Sequence, residues 1–325
     1  MARVVVTRRL PEGGVDPLLA AGHDVAENEG DVAFSQPELC AAAADADAMV
    51  CLLTDRVDAE VLAAGAGRLR VVANVAVGHD NIDVAAATER GVAVCNTPGV
   101  LDETTADLAF LLILAASRLA GDAERDVRAG RWPGWGILQY LGRDVHGATL
   151  GLVGFGRIGQ AVARRASGFG MNVVHHTRRD TGLPGYVATL DELLAASDVV
   201  SLHVPLTPAT HHLLDADRLA RLRPTAVLVN TARGPVVDEE ALAEALESGR
   251  LFAAGLDVYE REPEVHPRLL AAPRTVLLPH IGSASQATRT RMARVACEGV
   301  VAVLRGDQPP NLVSAGSSTS RGDGS

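Results

Sequence analysis

Three ionisable residues stand just beyond three apolar runs in the second half of the chain: Arg233 after 226–230, Glu262 after 253–258 and His280 after 275–278. An arginine binds a carboxylate through two parallel charge-assisted hydrogen bonds and polarises a carbonyl beside it. A histidine protonates that carbonyl oxygen, and a carboxylate on its other ring nitrogen fixes the tautomer and favours the charged form. Such a set suits the reduction of a 2-keto acid wherever a hydride donor binds alongside. Each residue also has a plain alternative: Arg233 as a phosphate contact or surface charge, Glu262 as a solvated turn residue, His280 as a satisfied core histidine. Their joint placement after successive strands favours the chemical reading.

A place for the hydride donor lies upstream. The stretch 149–159, Thr-Leu-Gly-Leu-Val-Gly-Phe-Gly-Arg-Ile-Gly, reads as a buried strand running into Gly154, Gly156 and Gly159, with a helix beyond. In this spacing the first glycine permits the tight turn, the second lets the backbone approach a pyrophosphate, and the third lets the helix pack on the sheet. The helix N-terminus then offers N–H groups and partial positive charge to the phosphates. A bare glycine pattern is weak in a chain with 32 glycines, but the strand before it and the helix after it make a dinucleotide site. A second strand over 171–176 ends at Thr177-Arg178-Arg179, where an acid usually holds the adenosine ribose about 20 residues on. Two arginines and a hydroxyl there suit a 2′-phosphate, so the expected cofactor is NADP(H), with NAD(H) as the alternative.

These residues need elements to position them. At 325 residues, 47% of them hydrophobic and 22% charged, the chain has enough apolar side chains for two cores. Residues 3 to about 98 alternate strand-like and helix-like segments, which indicates βαβ units and a parallel sheet. That half has its own glycine point after a strand, Asn74 to Asn81; a plain turn with Asp80 or Asn81 capping the next helix is the competing reading. Asn96-Thr97-Pro98-Gly99 is a candidate hinge. An apolar helix over 106–117 lacks a polar face and is expected to be buried in the molecule or in a subunit contact. Trp132 and Trp135 share a Gly/Pro-rich loop that suits an interface or a site lid as well as local packing. From there to residue 278 strands and helices alternate, with helices expected over 190–196, 213–222 and 239–246. A long helix over 284–304 follows, and the tail from about 314 is expected to be disordered.

Composition excludes several classes. There is no lysine, so all 30 basic residues are arginine, which removes Schiff-base and P-loop chemistry. The net charge of −10 argues against nucleic acid as a partner. No apolar run is long enough for a membrane span or a signal peptide, so a cytoplasmic protein with no membrane partner is expected. Four cysteines, Cys40, Cys51, Cys95 and Cys297, lack CxxC spacing and read as buried free thiols, with no metal site.

The motifs in order resemble the D-isomer-specific 2-hydroxyacid dehydrogenase family, and within it the glyoxylate and hydroxypyruvate reductases. The likeness runs to about Leu312 through 96–101, 104–107, 154–159, 203–207, 230–234, 255–260 and 279–283. It implies two doubly wound α/β parallel-sheet domains: a flavodoxin-like substrate domain (1–98 and 288–325) and a Rossmann-like dinucleotide-binding domain (99–287). It implies Arg233, Glu262 and His280 as the catalytic set, with His280 as proton donor. Cofactor contacts are implied at Thr105, Gly154, Phe155, Gly156, Arg157, Ile158, Gly159, Thr177, Arg178, Arg179, His203, Val204, Pro205, Thr231, Ala232, Arg233, Asp257, His280 and Gly282. Leu53, Val77, Gly78, His79, Arg233 and Trp135 are implied around the substrate. The resemblance also implies a homodimer built on the cofactor domain, with Trp135 falling where some reductases send an aromatic into the partner's site.

Two departures matter: His79 stands where Tyr, Val or Ala is commoner, and Thr177-Arg178-Arg179 replaces the Asp-Pro of NAD-preferring relatives. The expected activity is NADPH-preferring reduction of glyoxylate or hydroxypyruvate to the D-2-hydroxy acid. Competing readings are a 3-phosphoglycerate, D-lactate or phosphonate dehydrogenase, and a nucleotide-sensing corepressor-like binding protein.

Overall fold

The structure, a computed structural model, describes residues 1–313; the tail expected to be disordered lies outside the described residues. The chain divides into two compact units, Met1–Leu101 together with the segment from Ser283, and Asp102–Gly282. Both are doubly wound α/β units with all-parallel sheets, as the sequence implies.

The first unit carries strands β1 (Arg3–Val6), β2 (Asp24–Glu27), β3 (Ala48–Cys51), β4 (Val71–Asn74) and β5 (Ala93–Cys95) in the order β2-β1-β3-β4-β5. Helices α1 (Asp16–Ala20), α2 (Gln36–Asp45), α3 (Ala59–Ala64) and α4 (Val84–Glu89) connect them. Strands β3 and β4 are buried at every position and are apolar but for Asn74 at the end of β4, as strands covered on both faces are. The sheet order reverses between β1 and β3, and its loops after the carboxyl ends of β3 and β4 hold Leu53 and Val77 to His79. Helix α4 is capped by Asp83, whose Oδ1 accepts the Ala86 N–H at 2.9 Å, and not by Asp80 or Asn81.

The second unit begins with α5 (Asp102–Ser117) and α6 (Ala120–Arg128). It continues through β6 (Thr149–Val153), α7 (Arg157–Gly168), β7 (Asn172–His176), α8 (Leu190–Ala196), β8 (Val199–Leu202), α9 (Ala216–Leu219), β9 (Val227–Asn230), α10 (Glu239–Glu247), β10 (Ala253–Leu256), α11 (Pro267–Ala271) and β11 (Thr275–Leu277). The sheet runs β7-β6-β8-β9-β10-β11. A third strand beyond β7 is reduced to a single parallel bridge, Tyr186 against His175. Helix α5 is largely buried, and Leu112 lies so close to Gly255 that a Cβ there would stand 3.0 Å from it. The helix expected over 213–222 shortens to α9, because Leu214 is drawn into a bridge with Val237 and Asp215 caps only the residues that follow.

The last helix, α12 (Gln286–Arg305), returns to the first unit. Arg294 donates to the Gly13 carbonyl and pairs with Asp16, and Arg70 donates to the carbonyls of Val303 and Leu304 at its C-terminus. Among the described residues no single helix is long and apolar enough to cross a membrane. All four cysteines are free; three are buried, while Cys40 is half-exposed, contrary to the expectation that all are buried.

Candidate active site

The loop after β9 is shaped by the buried Asn230, whose amide accepts the Ala232 N–H at 3.0 Å and donates to the Arg233 carbonyl at 2.9 Å. The half-buried Arg233 side chain places one Nη1–H on the Ala232 carbonyl at 2.9 Å. Gly234 follows directly, and a Cβ on it would stand 1.8 Å from the Tyr259 carbonyl carbon. Only glycine lets the loops after β9 and β10 touch in this way.

Beyond β10, Glu262 Oε1 accepts the Tyr259 N–H at 3.0 Å, which folds the carboxylate back over its own loop. Its other oxygen meets His280 Nδ1 at 2.7 Å. Burial pushes the Glu262 carboxyl up, but the hydrogen bond and charge of His280, the Tyr259 N–H and the Arg233 charge outweigh it, and the net shift is downward. Tyr259 also donates its hydroxyl to the Leu278 carbonyl at 3.0 Å, tying the loops after β10 and β11 together.

His280 itself has φ of 54°, a left-handed conformation that costs a non-glycine residue about 1–3 kcal/mol unless its surroundings hold it. Asp257 supplies the hold: its carbonyl accepts the His280 N–H, and its carboxylate accepts those of Ile281 and Gly282 at 2.7 and 2.8 Å. Burial raises the Asp257 carboxyl to about 6 despite these bonds. Arg233, Glu262 and His280 are thus brought together by three loops of one sheet.

The glycine-rich turn has room for a pyrophosphate. Gly154 has φ of 95°, and a Cβ there would stand 2.4 Å from the His203 carbonyl oxygen, so the turn out of β6 requires glycine. Gly156 is the N-cap of α7 and has nothing within 4 Å of a Cβ position; it caps no N–H with a side chain, which leaves the first donors of α7 open to an anion. Thr231 Oγ1 is buried without a hydrogen-bond partner beside Arg233, an orphaned polar atom that a ligand group could satisfy. The residues present therefore fit a dinucleotide.

The remaining expected contacts distribute as follows. Thr105 and Asp257 both line Gly282, so these three meet at one point. His203 bonds through Nε2 to Ser201 Oγ at 2.9 Å, and burial lowers its imidazole to about 4, keeping it neutral. Val204 packs beside Gly154, and the Pro205 carbonyl is taken by Thr210. Arg178 and Arg179 are exposed just past β7, with Thr177 Oγ1 on the Arg179 carbonyl at 2.5 Å. Sequence reasoning missed His175, which stacks on Phe155 at 3.8 Å between ring centres and holds Thr181 Oγ1 at 2.8 Å. Its position in the middle of an apolar strand was the available signal.

Leu53, Val77, Gly78 and His79 lie in the other unit. Trp135 belongs to the second unit but stands 81% exposed. Its neighbours Trp132, Ile137, Leu138 and Leu141 are exposed as well.

Known proteins resemble this chain in sequence and fold. The family model for "D-isomer specific 2-hydroxyacid dehydrogenase, NAD binding domain" matches residues 110–282. The chain is 46% identical over 321 residues to a glyoxylate reductase of Thermococcus onnurineus, covering 96% of each. Its fold is similar to that of the TT0316 protein from Thermus thermophilus, with a TM-score of 0.91, 49% identity, and 96% and 100% of the two chains covered. It is also similar to an NADPH-dependent glyoxylate/hydroxypyruvate reductase of Sinorhizobium meliloti solved with NADP and malonate, with a TM-score of 0.84, 36% identity and 96% of both chains covered. By the family model and by relatives this similar over nearly their whole length, the chain belongs to the D-isomer-specific 2-hydroxyacid dehydrogenases, NAD(P)-dependent oxidoreductases.

Proposed function

We propose that this enzyme reduces small 2-keto acids, glyoxylate and hydroxypyruvate foremost, to D-2-hydroxy acids with NADPH as the preferred reductant. The observation that carries the reading is the 2.7 Å bond between His280 Nδ1 and Glu262 beside the charge of Arg233. The names of the relatives support the substrate class. Reduced nicotinamide, when bound, supplies a hydride to the carbonyl carbon. Arg233 grips the substrate carboxylate and polarises the adjoining carbonyl. Because Nδ1 is engaged with Glu262, Nε2 is the nitrogen that delivers the proton to the carbonyl oxygen as charge develops there. His280 is left neutral and takes its next proton from solvent; in the oxidative direction the neutral ring is the base. The loop of Val77 and Gly78 helps hold the substrate carboxylate, and His79 shapes the preference for the group beyond the carbonyl.

The cofactor preference rests on Arg178 and Arg179, which have the planar donors a 2′-phosphate takes. Steady-state rates for a panel of 2-keto acids with each cofactor test both claims. Higher kcat/KM with NADPH and turnover of glyoxylate or hydroxypyruvate are expected; equal efficiency with NADH would remove the arginines from their role. The exposed apolar segment around Trp135 and Leu138, 81% and 80% exposed, fits a second copy of this chain. Sedimentation should therefore give a dimer at micromolar concentration, and a monomer would overturn this assignment. If Trp135 reaches the partner's site, Trp135→Ala raises the keto-acid KM.

A further inference from the structure

In the first unit the turn after β4 has an unusual bonding pattern. Three successive carbonyl oxygens in it, those of Ala76, Val77 and Gly78, are taken. The Thr97 N–H donates to the Ala76 carbonyl at 2.9 Å, Asn96 Nδ2 to the Val77 carbonyl at 2.8 Å, and Asn74 Nδ2 to the Gly78 carbonyl at 2.8 Å. Its N–H groups are not: those of Val77, Gly78 and His79 have no acceptor among the described residues. The two facts are one geometry, because the C=O and N–H of a trans peptide point in opposite directions. Holding the Ala76, Val77 and Gly78 carbonyls inward turns the N–H groups of Val77, Gly78 and His79 outward, one peptide at a time. Successive N–H groups facing one way form an anion-binding concavity.

The amides that do the holding are themselves fixed. Asn74, fully buried at the end of β4, donates its other N–H to Asn81 Oδ1 at 3.0 Å. Asn81 donates to the carbonyls of Leu52 and Asp55 at 3.1 and 2.9 Å, which ties the turn to the loop holding Leu53. Asn96 is held through its backbone, its N–H on the Asn311 carbonyl and its carbonyl accepting from Asn311 Nδ2 at 2.8 Å. A buried amide bonded in this way has one orientation, and aspartate in its place could not donate to a carbonyl.

We infer that Asn96 and Asn74, the latter braced by Asn81, are positioning residues that aim three backbone N–H groups, those of Val77, Gly78 and His79, at the carboxylate of the substrate. This rests on the reading of the substrate as a 2-keto acid. Neither asparagine touches the substrate; each acts through the peptide whose oxygen it holds. Among the described residues the side chain of Asn96 has a single hydrogen bond, to Val77, so its removal frees one peptide without disturbing the Asn74–Asn81 pair.

The test compares the wild type with Asn96→Ala and Asn74→Ser, using glyoxylate and its uncharged methyl ester. Asn96→Ala should raise KM for glyoxylate about tenfold, the scale of one hydrogen bond to a charged group. It should leave kcat for glyoxylate, KM for cofactor and kcat/KM for the ester within about twofold. Asn74→Ser should do the same, and Asn96→Asp should do no better than alanine. Equal losses on acid and ester, or a loss in cofactor binding, would show a merely structural role and overturn the inference, as would an unchanged KM for glyoxylate. Should Asn74→Ser fail to fold, the Asn96 variants decide alone. A wild type with no preference for the acid over the ester would overturn the 2-keto acid reading itself and the inference with it.

Discussion

In the unit Asp102–Gly282 the loops after β9, β10 and β11 carry Arg233, Glu262 and His280, whereas in the unit that opens the chain the loops after β3 and β4 carry amides and bare N–H groups. Both sets stand at the carboxyl edge of a parallel sheet, where α/β folds place ligands. The difference follows from what each edge has to do. On the proposed reading, moving a proton requires an acid–base side chain, which His280, bonded to Glu262, supplies. Holding a carboxylate requires only oriented dipoles, which peptide N–H groups supply without a side chain or a proton.

The contrast is easiest to break at His280. His280→Ala should lower kcat for reduction by about 10²–10⁴-fold, the range of a positioned general acid, while the dissociation constant for cofactor, read by fluorescence, stays put. Retained turnover would mean that the proton comes from elsewhere. The next largest effect is that of Asn96→Ala, confined to KM for the charged substrate.

The smallest effect is one of stability, at Asp257. Burial raises its folded carboxyl to about 6 from an ordinary value of 3.8, so the folded state holds this proton more tightly than the unfolded chain. Its contribution to stability is therefore present below about pH 4 and is withdrawn as pH rises through about 6. Asp257→Asn removes that dependence. The Tm of wild type minus variant should fall by several degrees between pH 4 and pH 7. A flat difference would show that the carboxylate does not change protonation in that window. Glu262 has the opposite sign: its folded carboxyl lies below its usual value, so its contribution is present above about pH 4.5 and lost as pH falls through the lower folded value.

Much of this arrangement is legible in the sequence because its signals are local. The glycine spacing after an apolar run marks the turn out of β6, and strand ends followed by Arg233, Glu262 and His280 mark the edge at which these three come together. What was not legible depends on partners far along the chain. Strand β2, Asp24-Val25-Ala26-Glu27, is a half-exposed edge strand with no apolar run to announce it. Helix α6 has no buried residue. The third strand beyond β7 is one residue long. Asn96 and Asn74 read as turn residues because the carbonyls they hold become neighbours only when the sheet forms.

Gly234 bears on how variants of this enzyme are to be interpreted. Its Cα lies against the Tyr259–Glu260 peptide, so the spacing between the arginine loop and the carboxylate loop is gauged by main chain against main chain. The gap does not depend on which side chain occupies position 233. Exchanging Arg233 for glutamine or methionine therefore leaves the spacing of the two loops as it was, and the kinetic change reports the loss of the guanidinium, its charge and its hydrogen bonds together. Any side chain at 234 does the reverse: it wedges the loops apart and disturbs both partners at once, although it touches neither.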